Sequence, residues 1–135
     1  MNSYTFSATG HQNIKATHKT TLEFTKDNHV TKSGDCVLGI NANFKLEELK
    51  QFLNKKQIKI TIIIEIENPK ETITETIKAV PNPNFSDEKE LVIRTTDFKS
   101  PRTFATHADK ASKDISRKIA ERAKNNQRPI RITIQ

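Results

Sequence analysis

A run of isoleucines at every second position constrains the fold of this chain more than any other sequence feature. The residues are Ile58, Ile60, Ile62, Ile64 and Ile66, and mostly polar side chains alternate with them. Successive side chains of a β-strand point to opposite faces of a sheet, so residues 57–67 are predicted to form a strand that covers a core on one side. A turn signal at 68–70 and renewed alternation over 71–80 predict a long antiparallel hairpin.

Shorter segments with the same alternation predict the rest of a sheet, over residues 4–9, 21–25, 36–40, 91–96 and 130–134. Two other segments have apolar residues at helical spacing, a shorter one over 46–54 and a longer one over 107–125. We therefore expect an α+β fold, with a mostly antiparallel, strongly curved or barrel-like sheet, a C-terminal helix and one shorter helix. A length of 135 residues predicts a single globular domain over residues 1–135.

The composition argues against several classes of protein. No apolar segment approaches the ~20 residues of a membrane-spanning helix, so we expect no association with a membrane. A single cysteine excludes an internal disulfide framework and a multi-cysteine zinc site, and it fits the reducing conditions of the cytoplasm. Charged residues of both signs reach 29% of the chain, which argues against a wholly disordered protein.

Basic residues concentrate at the C-terminal end of the sequence. Residues 107–135 contain eight lysines and arginines but only three acidic residues, in a chain whose formal net charge is +7. Such a segment favours a polyanionic partner, and nucleic acid is the first one to consider. The candidate nucleic-acid-binding residues are Lys110, Lys113, Arg117, Lys118, Arg122, Lys124, Arg128 and Arg131.

The expected C-terminal helix leaves two interpretations of this charge open. On an ideal helical wheel some of the cations share a narrow arc opposite the apolar residues and would form an anion-binding ridge, namely Lys110, Lys113, Arg117 and Lys124. Alternatively, the acid-to-base pairs that begin at Asp109 and Asp114, each spanning one helical turn, would stabilise an ordinary solvated helix face.

A second group of candidate residues is polar and lies around the predicted strand ends. The candidate ligand-binding residues are Thr17, His18, Thr20, Asp27, Asp35, Asp97, Arg102 and Thr103. Loops at strand ends often carry binding side chains, so this set predicts a pocket. The pocket would bind a small anionic ligand or form the active site of a small enzyme. His18, Asp35 and Cys36 are the catalytic candidates, because a thiolate needs a neighbouring base or cation to form near neutral pH. The alternative for Cys36 is a buried core position, since the alternation continues through Leu38 and Ile40.

The segment around Arg102 predicts a related anion site. Arg102 and Thr103 would hold a phosphate or carboxylate at the start of the expected long helix, where backbone N–H groups are free to donate. Alternatively, the residues that follow form a simple helix start, with Thr106 as the capping residue and Asp109 in the first turn. The chain has three glycines and lacks both a glycine-rich phosphate-binding loop and the spacing of a His or Cys metal site. We therefore expect no metal and no cofactor.

Short motifs are spread over most of the chain, and they are most specific in its first 36 residues. They are Gly10-His11-x-Asn13, Ala16-Thr17-His18-x-Thr20-Thr21-x-Glu23-x-Thr25-Lys26-Asp27, Thr31-x-x-Gly34-Asp35-Cys36, Val92-Ile93-Arg94, Arg102-Thr103 and Ala108-Asp109-Lys110-Ala111. Together they resemble an archaeal family known as domain of unknown function 371. The resemblance implies an archaeal, intracellular, single-domain protein, and it implies no reaction.

Two functions are consistent with these features. The first is binding of a polyanion, such as structured RNA or the backbone of DNA, through the basic C-terminal helix. The alternative is a small enzyme or small-ligand-binding protein that uses the polar residues near the N-terminus. A homo-oligomer, formed through Ile63 and Val80 of the hairpin, is a further expectation for partners.

Overall fold

The computed structural model of the protein describes residues 3–67, 70–125 and 128–135. Over these residues the chain forms eight strands, two short α-helices and one 3-10 turn. Neither of the described helices is long or apolar enough to cross a membrane. The elements are β1 (Tyr4–Thr9), β2 (Thr21–Thr25), β3 (Val37–Gly39), α1 (Leu46–Lys50), β4 (Ile58–Ile66), β5 (Glu71–Pro81), β6 (Glu90–Arg94), β7 (Thr103–Thr106), the 3-10 turn (Ser112–Asp114), α2 (Arg117–Arg122) and β8 (Pro129–Ile134).

The described strands all belong to one sheet, in the order β1-β8-β4-β5-β7-β6-β2-β3. Neighbouring strands are antiparallel except in the β2/β3 and β6/β7 pairs, which are parallel. The expected α+β fold with a mostly antiparallel sheet is confirmed. The sheet is not a closed barrel, but it curves until its edges touch at one isolated bridge. There Thr9 and Ile40 exchange two backbone hydrogen bonds of 2.8 Å.

The isoleucine strand lies at the centre of the apolar core. All five alternating isoleucines of β4 are at most 6% exposed, and β8 places further buried isoleucines directly opposite three of them. Burying one such side chain contributes roughly 1.5–3 kcal/mol to folding. β4 pairs with β5 along its whole length, so the predicted hairpin is confirmed. Asn68 and Pro69, in the predicted turn, lie outside the described residues.

The long C-terminal helix expected from the sequence is mostly absent. Thr106 ends a strand, and His107 has a φ of 53°, in the left-handed region. The N–H of Asp109 donates to the carbonyl of Lys78 at 3.0 Å, and the N–H of Lys78 donates to Oδ1 of Asp109 at 3.0 Å. The segment is therefore bonded to β5, a partner that helical periodicity cannot reveal, and only the six residues of α2 are α-helical.

Three smaller expectations also need correction. The first helix ends at Lys50, and beyond it the chain continues in turns, with the N–H of Phe52 donating to the carbonyl of Leu49 at 3.1 Å. The strand β7 has no counterpart among the segments predicted from alternation. Thr106 is the last residue of that strand and caps no helix, because no helix begins directly after it, and its hydroxyl lies 3.1 Å from Nδ1 of His107.

Candidate small-anion site

Glu23 lies on the face of β2 that points away from the apolar core. Its neighbours Leu22 and Phe24 are buried within that core. Glu23 is paired with Val92 on β6, and Val92 is paired in turn with Thr103 on β7. Because paired residues point to the same side of a sheet, these three side chains share one face.

Two arginines and a second glutamate surround Glu23 on this face. Glu90 and Arg94 flank Val92 on β6, at the positions diagonal to Glu23. Arg102 directly precedes β7, and its Nη1 lies 2.8 Å from Oε1 of Glu90 and 3.7 Å from Oε1 of Glu23. Together with two neighbouring side chains they form what we call the Glu23 cluster, defined as Glu23, Cys36, Glu90, Arg94, Arg102 and Thr103.

A buried hydroxyl orients Arg94. Oγ1 of Thr103 accepts from Nε of Arg94 at 2.9 Å and from the backbone N–H of Ser100 at 3.1 Å. The guanidinium group of Arg94 also lies 4.8 Å from the centre of the Phe98 ring. Arg94 forms no ion pair with any carboxylate in the part of the chain that the structure describes.

Burial changes the acidity of Glu23, whose side chain is 7% exposed. Burial first, and then the charge of Glu90, raises the pKa of Glu23 from 4.5 to about 7, against the opposing effects of the Cys36 hydrogen bond and of Arg102. A carboxyl group with this pKa exists in both protonation states at neutral pH. Carboxyl groups with a pKa shifted in this way are frequent at functional sites.

The thiol of Cys36 donates a hydrogen bond to the same carboxyl group, with Sγ 3.4 Å from Oε1 of Glu23. Burial, followed by the charge of Glu23, raises the pKa of Cys36 to about 12. The thiol is therefore protonated at neutral pH and is a weak nucleophile. The hypothesis of a Cys36 nucleophile with His18 as its base has no support in this geometry, because the thiol is bonded to a carboxyl group.

The sequence as a whole matches a known family. The profile of the family described as Domain of unknown function (DUF371) matches residues 6–135. The chain belongs to the DUF371 family. It is also 37% identical over 125 residues to the uncharacterised protein MJ0206 of Methanocaldococcus jannaschii, in an alignment that covers 90% of each chain. The resemblance found in the motifs is confirmed, and neither description assigns a reaction.

Part of the predicted polar set of this DUF371 protein belongs to the Glu23 cluster, namely Cys36, Arg102 and Thr103. His18 lies beside the cluster, at the start of β2. Its Nδ1 accepts from the backbone N–H groups of Thr20 at 3.1 Å and Thr21 at 3.2 Å, and Thr21 is paired with Arg94. His18 therefore orders the turn that borders the site.

The other predicted ligand-binding residues have different roles or positions. The backbone N–H of Thr17 donates to the carbonyl of Asp35 at 2.9 Å, a contact that uses neither side chain. Asp27 forms an exposed ion pair of 2.9 Å with Lys89, near the opposite end of β2. Asp97 is exposed, and its carboxylate makes no ion pair or hydrogen bond with a described residue.

The candidate nucleic-acid-binding residues do not form one helical ridge, because most of the segment that carries them is not α-helical. Several are bonded to acids of the same chain: Lys110 to Glu75 at 2.6 Å, Lys113 to Asp114 at 3.7 Å, Lys118 to Glu71 at 3.4 Å and Arg131 to Glu65 at 2.8 Å. Arg117 donates to three backbone carbonyls.

The remaining three candidates lie apart from one another. Arg122, Lys124 and Arg128 line three separate surface clefts. Nucleic-acid binding through these residues stays a prediction without structural support.

Three members of the Glu23 cluster are absent from the sequence candidates: Glu23, Glu90 and Arg94. Glu23 alternates with Leu22 and Phe24, so its position predicts an ordinary solvent-facing side chain. Its burial depends on pairing with strands that are distant in sequence. The available signal is that Glu23 and Arg94 both fall within the motifs that resemble the family.

The charge of the cluster determines which ligands suit it. Among the described residues, no group of three or more His, Cys, Asp or Glu side chains could hold a metal ion. When Glu23 is protonated, the cluster contains the two guanidinium groups of Arg94 and Arg102 but only one carboxylate, that of Glu90, which is bonded to Arg102. An excess of fixed positive charge beside a protonated carboxyl group suits a small anion.

Proposed function

We propose that the protein binds a small anionic ligand, a phosphate or a carboxylate, through Arg94 and Arg102, with Glu23 as the proton-exchanging group beside it. The observation that carries this proposal is that two arginines lie together while, among the described residues, only Arg102 has a carboxylate partner. The pKa of Arg94 is lowered by burial and then by the charge of Arg102, so the two guanidinium groups repel each other. An anion bound between them would replace this repulsion with attraction.

The two arginines have complementary roles in the proposed site. Arg94 is held by Thr103 through Nε, which leaves its terminal N–H groups for a ligand. A guanidinium group presents paired donors whose geometry matches the oxygens of carboxylate and phosphate. The side chain of Arg102 is 46% exposed, so it is accessible from solvent despite its bond to Glu90. Arg94 therefore orients the bound anion, and Arg102 contacts the anion from the solvent-exposed side of the site.

Glu23 gives the proposed site its pH dependence. The protonated carboxyl group donates a hydrogen bond to an anion, whereas the ionised group repels it. Since the pKa of Glu23 is about 7, we expect anion affinity to fall as the pH rises through that value. If the bound ligand reacts, Glu23 is the group positioned to donate or accept the proton.

A titration with inorganic phosphate and acetate tests the proposal, with protein NMR as the readout and chloride used to hold ionic strength constant. We expect saturable shifts of the backbone amide signals of Arg94, Ser100 and Thr103. Arg94→Gln keeps a side-chain donor for Thr103 but removes the charge. We expect this variant and Arg102→Gln each to weaken binding by about tenfold or more, the value of one charge-assisted hydrogen bond.

Arg131→Gln is the matched control, because Arg131 forms a 2.8 Å ion pair with Glu65 just as Arg102 does with Glu90. We expect this variant to bind both anions like the wild type. Two results would overturn the proposal: shifts that do not saturate, or binding that weakens as much in Arg131→Gln as in Arg102→Gln. Either result would show that the anions are attracted only by the net charge of the protein.

The formal net charge of +7 makes nucleic acid the competing ligand class. Labelled duplex DNA and structured RNA, titrated at increasing salt, supply the comparison. Arg122 and Lys124 form no ion pair with a described residue, so Arg122→Glu combined with Lys124→Glu removes basic charge without breaking an internal bond. If salt-sensitive binding of nucleic acid is lost in this double variant but kept in Arg102→Gln, nucleic acid is the ligand and the small-anion proposal is wrong.

A further inference from the structure

An exposed aromatic ring lies next to the Glu23 cluster. The Phe98 side chain is 58% exposed, and Val80, at 39%, is the other exposed large hydrophobic residue in the described ranges. Phe98 belongs to the connection between β6 and β7, and the Arg94 guanidinium group lies 4.8 Å from the centre of its ring. The most exposed apolar side chain of the described protein is thus in contact with the arginine that lacks a carboxylate partner.

The connection that carries Phe98 is anchored on both sides. Before it, the N–H of Thr95 donates to the carbonyl of Thr20 at 2.9 Å. After it, the N–H of Ser100 donates to Oγ1 of Thr103 at 3.1 Å, the hydroxyl that also orients Arg94. Phe98 and Arg94 are therefore positioned by the same hydrogen-bonded unit, and the ring stays exposed although its backbone is held.

We infer that the ligand carries a planar ring joined to its anionic group, and that the ring stacks on Phe98 while the anion binds Arg94 and Arg102. This inference rests on the proposed function and specifies its ligand class. An aromatic side chain provides a flat apolar surface that any planar ring can cover, and arginine adds its own stacking surface beside it. Exposure of Phe98 to water is unfavourable in the free protein, and a stacked ring would remove it.

Two kinds of molecule combine these groups, a nucleoside monophosphate and an aromatic carboxylate. Adenosine monophosphate and benzoate serve as their probes, with inorganic phosphate and acetate as the matching anions without a ring. We expect at least one ring-bearing probe to bind about tenfold more tightly than its matching anion, the usual contribution of one stacked base. The probe that gains affinity identifies whether the anionic group is phosphate or carboxylate.

Variants at Phe98 separate stacking from charge. Phe98→Ala should reduce the affinity of the ring-bearing probe to that of its matching anion, and should leave inorganic phosphate binding unchanged. Phe98→Tyr keeps the ring and should keep the affinity. Val80→Ala removes the other exposed apolar side chain and should have no effect on any probe.

The outcomes distinguish this inference from the proposed function. If inorganic phosphate binds through Arg94 and Arg102 but neither ring-bearing probe binds more tightly than its matching anion, the inference is wrong and the proposed function stands. Equal loss of both ring-bearing and ring-free anions in Phe98→Ala would also overturn it, because the ring would then act only by supporting Arg94. If none of the four probes binds, both proposals are wrong.

Discussion

The Sγ atom of Cys36 lies 3.4 Å from Oε1 of Glu23, so the single thiol of the chain donates its hydrogen bond to a buried carboxyl group. The contact affects the two groups in opposite ways. The thiol stabilises the ionised form of Glu23 and lowers its pKa, whereas the charge of Glu23 disfavours a thiolate and raises the pKa of Cys36. Two independent measurements, of stability and of thiol reactivity, therefore examine the same site.

Stability should depend on pH through Glu23. Its pKa of about 7 in the folded protein exceeds the ordinary 4.5, so folding favours the protonated form. The resulting stabilisation is complete below about pH 4.5 and is lost as the pH rises through about 7. Glu23→Gln cannot ionise, so relative to the wild type its free energy of unfolding should increase between about pH 4.5 and pH 8, by up to about 3 kcal/mol. Urea unfolding at several pH values measures the difference.

Glu65→Gln is the control for this measurement. The Glu65 side chain is 55% exposed and paired with Arg131 on the far part of the sheet, so this variant should follow the pH dependence of the wild type. If the difference between Glu23→Gln and the wild type stays constant across the pH range, Glu23 titrates at an ordinary pKa and has no special acid–base role.

Cys36 should be an unreactive thiol. Burial and the neighbouring Glu23 raise its pKa to about 12, so near pH 8 we expect iodoacetamide to alkylate it at least about tenfold more slowly than glutathione. Glu23→Gln should speed the reaction, because it removes the charge that opposes the thiolate. Mass spectrometry can follow the reaction without ambiguity, since the chain has no other cysteine. Alkylation as fast as that of glutathione would contradict a partly buried, protonated thiol.

Gly10 should not tolerate a side chain. A Cβ atom there would lie 2.0 Å from the backbone oxygen of Ala123 and 2.8 Å from that of Asn125, and backbone atoms cannot move aside cheaply. Gly10→Ala is expected to lower the free energy of unfolding by roughly 3 kcal/mol or more. In Gly34→Ala the new Cβ would meet Cγ2 of Val30 at 3.0 Å, a side-chain atom that can shift. Thermal unfolding of both variants should show the much larger loss at Gly10.

Arg117 should stabilise the protein through its hydrogen bonds and not through its positive charge. Its Nη2 donates to the carbonyls of Ala16, Ser112 and Ile115 at 3.0, 2.8 and 2.9 Å. Lysine keeps the charge but lacks the planar fork, so Arg117→Lys is expected to cost roughly 1–3 kcal/mol. Arg122→Lys, in the same helix and exposed, should cost nothing measurable. Equal unfolding midpoints for the two variants would mean that the three carbonyl contacts do not stabilise the protein.

Local alternation was sufficient to predict the strands with the strongest pattern. β4 follows directly from isoleucines at every second position, and β5 follows from the weaker alternation of Ile73, Ile77 and Ala79, because the period of a strand is two and a hairpin needs only a nearby turn. The same reasoning fails for residues 107–116. Their apolar spacing suits a helix, but Asp109 exchanges hydrogen bonds with Lys78 of β5, and a partner so distant in sequence is absent from any local window.

The candidate site was predicted only in part for a related reason. Arg102, Thr103 and Cys36 are visible as polar or reactive residues in the sequence. Glu23 and Arg94 become notable only when β2 pairs with β6, because that pairing buries one and places the other diagonally beside it. A motif can mark such residues, but the physical reason for their pKa shifts lies in strand order, which the sequence pattern does not contain.

The position of β8 has a consequence for how the chain folds. This strand lies between β1 and β4, and it joins residues as distant as Thr5 and Thr133, which are 128 positions apart. The first strand therefore has almost no sheet partner until the last one is in place, and contacts between distant residues form slowly. Until that step, the isoleucine edge of β4 stays unpaired and prone to aggregation. Arrival of β8 is thus the step that protects the newly made chain from its own most hydrophobic strand.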